Sequence, residues 1–147
     1  MTWSESLDAQ RVLPQLHYEH PIEAISWLCH VFGFAEEVRM SGPNGELYIA
    51  EVVAPDGGIL MIAGPLNPEA AEQPRPNLSY SITIIVPDVD AHHEQACTRG
   101  ARVLVPPRDQ PWGLRDYEVL DLEGRLWNFS QRIRHVEPED WGARRLT

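Results

Sequence analysis

One order of local signals occurs twice in this 147-residue chain, and that repeat constrains the fold more than any other feature. In the first copy, "RVLPQLHYE" (11–19) sets Leu13, Gln15 and His17 against Val12, Leu16 and Tyr18. The alternation reads as a strand, and the early Pro14 places it at a sheet edge or a kink. Next, "PIEAISWLCHVFGF" (21–34) opens on proline, spaces Ile22, Ile25, Leu28, Cys29 and Phe32 as one helix face, and reaches Gly33 just past the helix end. The alternating runs "ELYIAEVVA" (46–54) and "GILMIAG" (58–64) follow, joined by "PDGG" as a hairpin.

After "PLNPEAAEQPRPN" (65–77), which has four prolines and no apolar period and reads as a linker, the order returns. "LSYSITIIV" (78–86) is strand-like, "DVDAHHEQACTRG" (88–100) runs from an aspartate cap to a glycine stop, and "ARVLVPP" precedes the loop "RDQPWG" and a hairpin turned by "DLEG" (121–124). The helix-ending glycine precedes the turn glycine by 25 residues from Gly33 to Gly58, and by 24 from Gly100 to Gly124. Repeats of this length mark stacked units. The expectation is an α+β fold of two βαβββ modules, about 12–64 and 78–131, forming a curved mixed sheet with helices outside. Its concave side is the place for a large cavity. Residues 132–147 read as a polar tail, and 1–147 as a single domain.

Charge and composition narrow the partners. A formal charge of −10 argues against nucleic acid, whose phosphates need a basic face, and suits a neutral or cationic small molecule. No apolar run approaches 18 residues, and "MTWSESLDAQR" has neither the basic start nor the apolar stretch of a secretory signal, so a soluble cytoplasmic protein without a membrane partner is expected. Cys29 and Cys97, both within helical segments, read as buried reduced thiols. There is no G-x-S-x-G, no G-x-x-x-x-G-K and no C-x-x-C, which leaves nucleophile, nucleotide and zinc-knuckle readings unsupported.

The closing hairpin carries the candidate site. With "DLEG" as a four-residue turn, 120 pairs with 125, 119 with 126 and 117 with 128. Tyr117, Val119, Leu126 and Asn128 then share the cavity face, while Glu118, Leu120, Trp127 and Phe129 go to the helix-packed core. Trp112, in a loop bounded by Pro111 and Gly113, either stacks on a ligand at the cavity mouth or caps the core. Among six histidines, His92 and His93 read as a solvated helix face, and His30 and His135 as a helix end and a polar tail. His17 shares its strand face with Leu13 and Gln15, where it serves either as a hydrogen-bonded core group or as a ligand contact.

The two modules, the helix "AISWLCHVFGF" and the ending "QPWGLRDYEVLDLEGRLWNFSQ" resemble the vicinal oxygen chelate superfamily over about residues 12–131. That superfamily includes glyoxalase I, extradiol dioxygenases and bleomycin-resistance proteins, and "QPWG" followed by a strand and a D-x-x-G turn is similar to the ending of the last group. The resemblance implies four strand sites for a divalent metal. Matching the glycines puts them, to within about one residue, at Leu13, Ile62, Ser81 and Asn128. Two aliphatic groups, a hydroxyl and an amide supply too few donors for such a metal. The resemblance therefore implies a binder of a small organic molecule with no cofactor and no catalytic residue, holding its ligand through Gln15, His17, Ser81, Trp112, Tyr117 and Asn128. It also implies a homodimer, with Pro14 as an exchange point. The competing reading is a metal-dependent lyase, isomerase or dioxygenase using His17 with Glu51 or Glu118.

Overall fold

The computed structural model describes residues 9–65 and 81–146. Elements run β1 (Gln15–His17), α1 (Pro21–Phe32), β2 (Ala35–Ser41), β3 (Leu47–Val53), β4 (Ile59–Ala63), β5 (Ile82–Ile85), α2 (Val89–Thr98), β6 (Arg102–Asp109), β7 (Leu114–Leu120) and β8 (Leu126–Arg132). A 3-10 turn at Pro138–Trp141 follows. The twofold βαβββ order of an α+β fold is therefore present. Hydrogen bonds gather the strands into two mixed sheets of four, β1-β4-β3-β2 and β5-β8-β7-β6, each with one parallel pair (β1/β4, β5/β8) and antiparallel neighbours. The 65–77 segment lies almost wholly outside the described residues.

The described residues fall into two compact units. The first runs to Pro65 and includes Leu122–Gly124; the second holds Ser81–Asp121 and the chain from Arg125 onward. In the first, α1 starts at Pro21, carries Glu23 in its first turn and His30 in its last, and stops at Gly33 in the left-handed region (φ 78°). An acidic residue at the start and a left-handed glycine at the stop are what a helix dipole and its unpaired carbonyls favour. His20 caps the helix without a side-chain bond, and the Glu123 carboxylate accepts instead from the backbone N–H groups of Glu19 (2.8 Å) and His20 (3.0 Å). The core joins Ala24, Ile25, Leu28, Val31 and Phe32 of α1 to Leu16, Ala50, Val52, Leu60 and Ile62 of the sheet.

Strand β2 has no counterpart in the sequence reading. Its pattern AEEVRMS is exposed at every position but Val38, and two bulges interrupt its pairing with β3, so no period-two apolar signal survives. Strand β1 shrinks to three residues, because Pro14 cannot donate and serves only as an acceptor for Met61 N–H.

The repeat is tighter than the glycine spacing indicates. In both hairpins five residues separate the last pairs, Val53↔Ile59 and Leu120↔Leu126. Gly57 (φ 93°) and Gly124 (φ 82°) hold the same left-handed position, whereas Gly58 is not in that region. The equivalent glycines thus lie 24 residues after Gly33 and 24 after Gly100.

Candidate ligand-binding face

The five-residue loop shifts the closing hairpin by one residue from the expected pairing. Asp121 sets it: one carboxylate oxygen accepts the Arg125 N–H (2.9 Å), the other the Trp127 indole N–H (3.0 Å), and the Asp121 N–H donates to the Arg125 carbonyl (2.9 Å). Tyr117 consequently pairs with Phe129, Glu118 with Asn128 and Val119 with Trp127. Tyr117 does not share a face with Asn128. It is fully buried beneath α2, stacked on Phe129 (5.6 Å), with its hydroxyl 2.6 Å from His92 Nδ1. Burial, with a smaller contribution from Cys97, pushes its phenol well above the ordinary value. His92 is likewise not on a solvated helix face; it is half-buried and lies 4.0 Å from the Phe129 ring. Trp127 and Phe129 are core, as their size demands.

The face of the second sheet away from α2 is a ladder of cross-strand rows. Leu114 pairs with Arg132; Asp116 stands between Arg108 and Ser130, with Ile85 beyond; Glu118 stands between Val105 and Asn128, with Thr83 beyond; Leu120 pairs with Leu126. Asn128 is half-buried and its Oδ1 accepts from Ser130 Oγ at 3.3 Å. Gln110 Nε2 donates to Asp116 Oδ1 at 3.0 Å. Ser81 is exposed and precedes β5.

The ladder begins at an aromatic cleft. Trp112, 39% exposed, meets Trp141 edge to face at 5.8 Å, and the cleft of about 480 Å³ is floored by Leu114 and Arg132. The tail builds half of it. Ile133 and Arg134 N–H groups donate to the Gly113 carbonyl (2.9 and 3.3 Å), and Gly113 itself sits at φ 90° where a Cβ would collide with the Arg134 carbonyl. The glycine of "QPWG" is thus required by the docked tail as well as by its own turn.

In the first unit, Gln15, Met61 and Glu51 form one row on the face away from α1, and His17 stands beside Ala63. His17 Nδ1 bonds the Gly64 carbonyl (2.9 Å), and its Nε2 lies 3.4 Å from Gln15 Nε2. These two expected site residues are brought together; Leu13 precedes β1, and Ile62 is fully buried with the α1 core. A second cleft of about 360 Å³ lies at the start of α1, where Glu19, Glu23 and Glu46 surround Ile22 and Leu47. Neither cysteine is a buried thiol. Cys29 is half-buried, with its thiol raised mainly by burial, and Cys97 is exposed with its sulfur 3.3 Å from His93 Nε2.

Residues 15–129 match the Glyoxalase/Bleomycin resistance protein/Dioxygenase superfamily. The chain belongs to this superfamily. TioX from Micromonospora sp. ML1 is 31% identical, with a TM-score of 0.68 over 87% of this chain and 100% of its own. A superfamily domain from Frankia sp. EAN1pec, 18% identical, shares the fold with a TM-score of 0.65 over 84% and 98% of the two chains. Uncharacterized protein Mb0911c of Mycobacterium bovis is 28% identical over 132 residues, 86% of each chain.

Superfamily enzymes hold a metal on their strands, and the residues here do not fit one. The positions expected to bind it carry Leu13, Ile62, Ser81 and Asn128. With Gly57 rather than Gly58 matching Gly124, the first-unit counterpart of Asn128 is Met61, which pairs with Gln15, while Asn128 pairs with Thr83, and none of Gln15, Met61, Thr83 and Asn128 is an imidazole or a carboxylate. Among the described residues, no three His, Cys, Asp or Glu side chains are grouped to hold an ion. The sequence reading missed Asp116 and Gln110 as residues of this far face, and it assigned Glu118 to the helix-packed face while naming it as a metal ligand of the competing enzyme reading. The signal was present in Asp121 followed by Trp127 six residues later, a carboxylate and an indole that lock the longer loop.

Proposed function

We propose that this superfamily member binds a small organic, positively charged ligand without a metal, in the manner of drug-sequestering resistance proteins. One observation carries the reading: the far face of the second sheet sets Asp116, Glu118 and Asn128 in adjoining rows, with Arg108 and Arg132 among them and Ser130 buried, beside the Trp112–Trp141 cleft, and none of the strands β5, β6, β7 and β8 contains a histidine. Such a surface orients a ligand by hydrogen bonds, charge and aromatic contact, and supplies no imidazole for metal or proton transfer. Sequestration needs nothing more than a cleft that lowers the free concentration of its ligand. Within the second unit Ser81, Trp112 and Asn128 are proposed as contacts to the ligand; within the first unit Gln15 and His17 are proposed separately as ligand contacts on that unit's own sheet. The protein is proposed to act as a homodimer, which sedimentation at micromolar concentration tests.

Metal analysis joined to a thermal-shift screen of aromatic amines tests the binding reading. The expected outcome is sub-stoichiometric metal after dialysis and ligand-induced stabilisation that is indifferent to EDTA. Stoichiometric Zn, Ni, Mn or Fe that survives dialysis, with ligand binding lost on chelation, would establish the metal-dependent enzyme instead.

A further inference from the structure

Asp116 is the unusual group on the far face. It is only 6% exposed, yet its single hydrogen-bond partner is the neutral amide of Gln110, on Oδ1. Oδ2 makes no hydrogen bond among the described residues and is not sealed from solvent. Among the described residues it forms no ion pair. Arg108, its cross-strand neighbour on β6, is exposed and forms no ion pair with it, and Arg115 turns to Asp90 (3.1 Å) and Asp109 (2.9 Å). Glu118, two residues along the same face, adds charge of the same sign. A nearly buried carboxylate with one neutral donor is costly, and an arriving cation offsets that cost.

The position is also held in register with the aromatic cleft. Gln110, which orients Asp116, belongs to the loop that carries Trp112. Leu114 and Arg132, the cleft floor, are one row away, which is about 7 Å along a strand.

Resting on the ligand-binding reading above, we propose that Asp116 is the anion that selects the ligand, and that the ligand class is an aryl-alkylamine: a planar ring seated at Trp112 and Trp141, joined by a short linker to an ammonium or guanidinium that Asp116 Oδ2 accepts. Titration of the full chain with tryptamine and with tryptophol, which differ only in ammonium against hydroxyl, tests it by amide chemical shifts. Tryptamine is expected to perturb Asp116, Glu118 and Ser130 at no more than a tenth of the concentration tryptophol requires, and Asp116→Asn to reduce tryptamine to the tryptophol level while tryptophol is unchanged. Equal binding of the two probes to wild type overturns the role of Asp116 but leaves the binding face intact, and this arm needs no variant to fold. An Asp116→Asn protein with native melting temperature that keeps the preference for tryptamine also overturns it. If neither probe perturbs the far face or the cleft, the binding reading fails as well.

Discussion

Under α1 the first unit buries five helix residues, all apolar, against apolar strands. Under α2 the second unit buries only Val89 and Ala96 of the helix, and the sheet meets it with Trp127, Phe129 and Tyr117, whose polar atoms are engaged by Asp121 and His92. The same βαβββ frame is therefore closed in two ways, once by aliphatic packing and once by aromatic rings whose N–H and O–H groups must each find a partner. Burial is nonspecific and tolerates repacking; satisfied polar groups fix one register and penalise every other. The half with the polar core is also the half whose far face carries the Asp116 and Glu118 rows and the tryptophan cleft.

The contrast can be broken most severely at the indole. Trp127→Ala removes both the ring and its bond to Asp121, and a loss of about 3–5 kcal/mol in urea unfolding is expected. If the polar anchor matters beyond volume, Trp127→Phe, which keeps a ring and removes the indole bond to Asp121, should recover only part of that loss.

A smaller effect tests the His92–Tyr117 bond. Tyr117→Phe leaves the His92 ring nitrogen without its phenol and is expected to cost about 1–2 kcal/mol. It should also change the response to alkali. Burial raises the folded-state phenol above its ordinary value, so the unfolded chain releases that proton first. The contribution is whole below about pH 10 and is lost as pH rises beyond it. All 12 basic side chains are arginine, so no lysine titrates in that window. Melting temperatures measured from pH 8 to 11 should fall less steeply in Tyr117→Phe than in the parent; equal slopes would remove Tyr117 from the account.

The smallest difference lies at the helix starts. Asp88 accepts from Ala91 N–H at 3.0 Å, while His20 makes no side-chain cap. Asp88→Ala should cost about 1 kcal/mol and His20→Ala stay within about 0.5 kcal/mol, read by the same unfolding curves. Equal losses would mean that the two helices are not anchored differently at their starts.

What the sequence determined by itself was the order and kind of elements. Glycines at left-handed positions, Pro21 at a helix start, Asp88 as a cap, alternation in 47–53 and the short apolar run 59–63 are local signals, set within a few residues, and they mark two α+β modules without any long-range knowledge. The exposed, bulged β2 carried no such signal, and only pairing with β3 makes it a strand. The faces of the closing hairpin were decided by tertiary structure. A strand's side chains alternate with period two, so one extra loop residue exchanges every contact, and whether Arg125 joins the loop depends on a buried indole finding a carboxylate. That bond moved Tyr117 under the helix, left Asn128 beside Glu118, and gave the far face its acids. The tail, polar in sequence, became the second wall of the Trp112 cleft only because the Gly113 carbonyl was free to receive it.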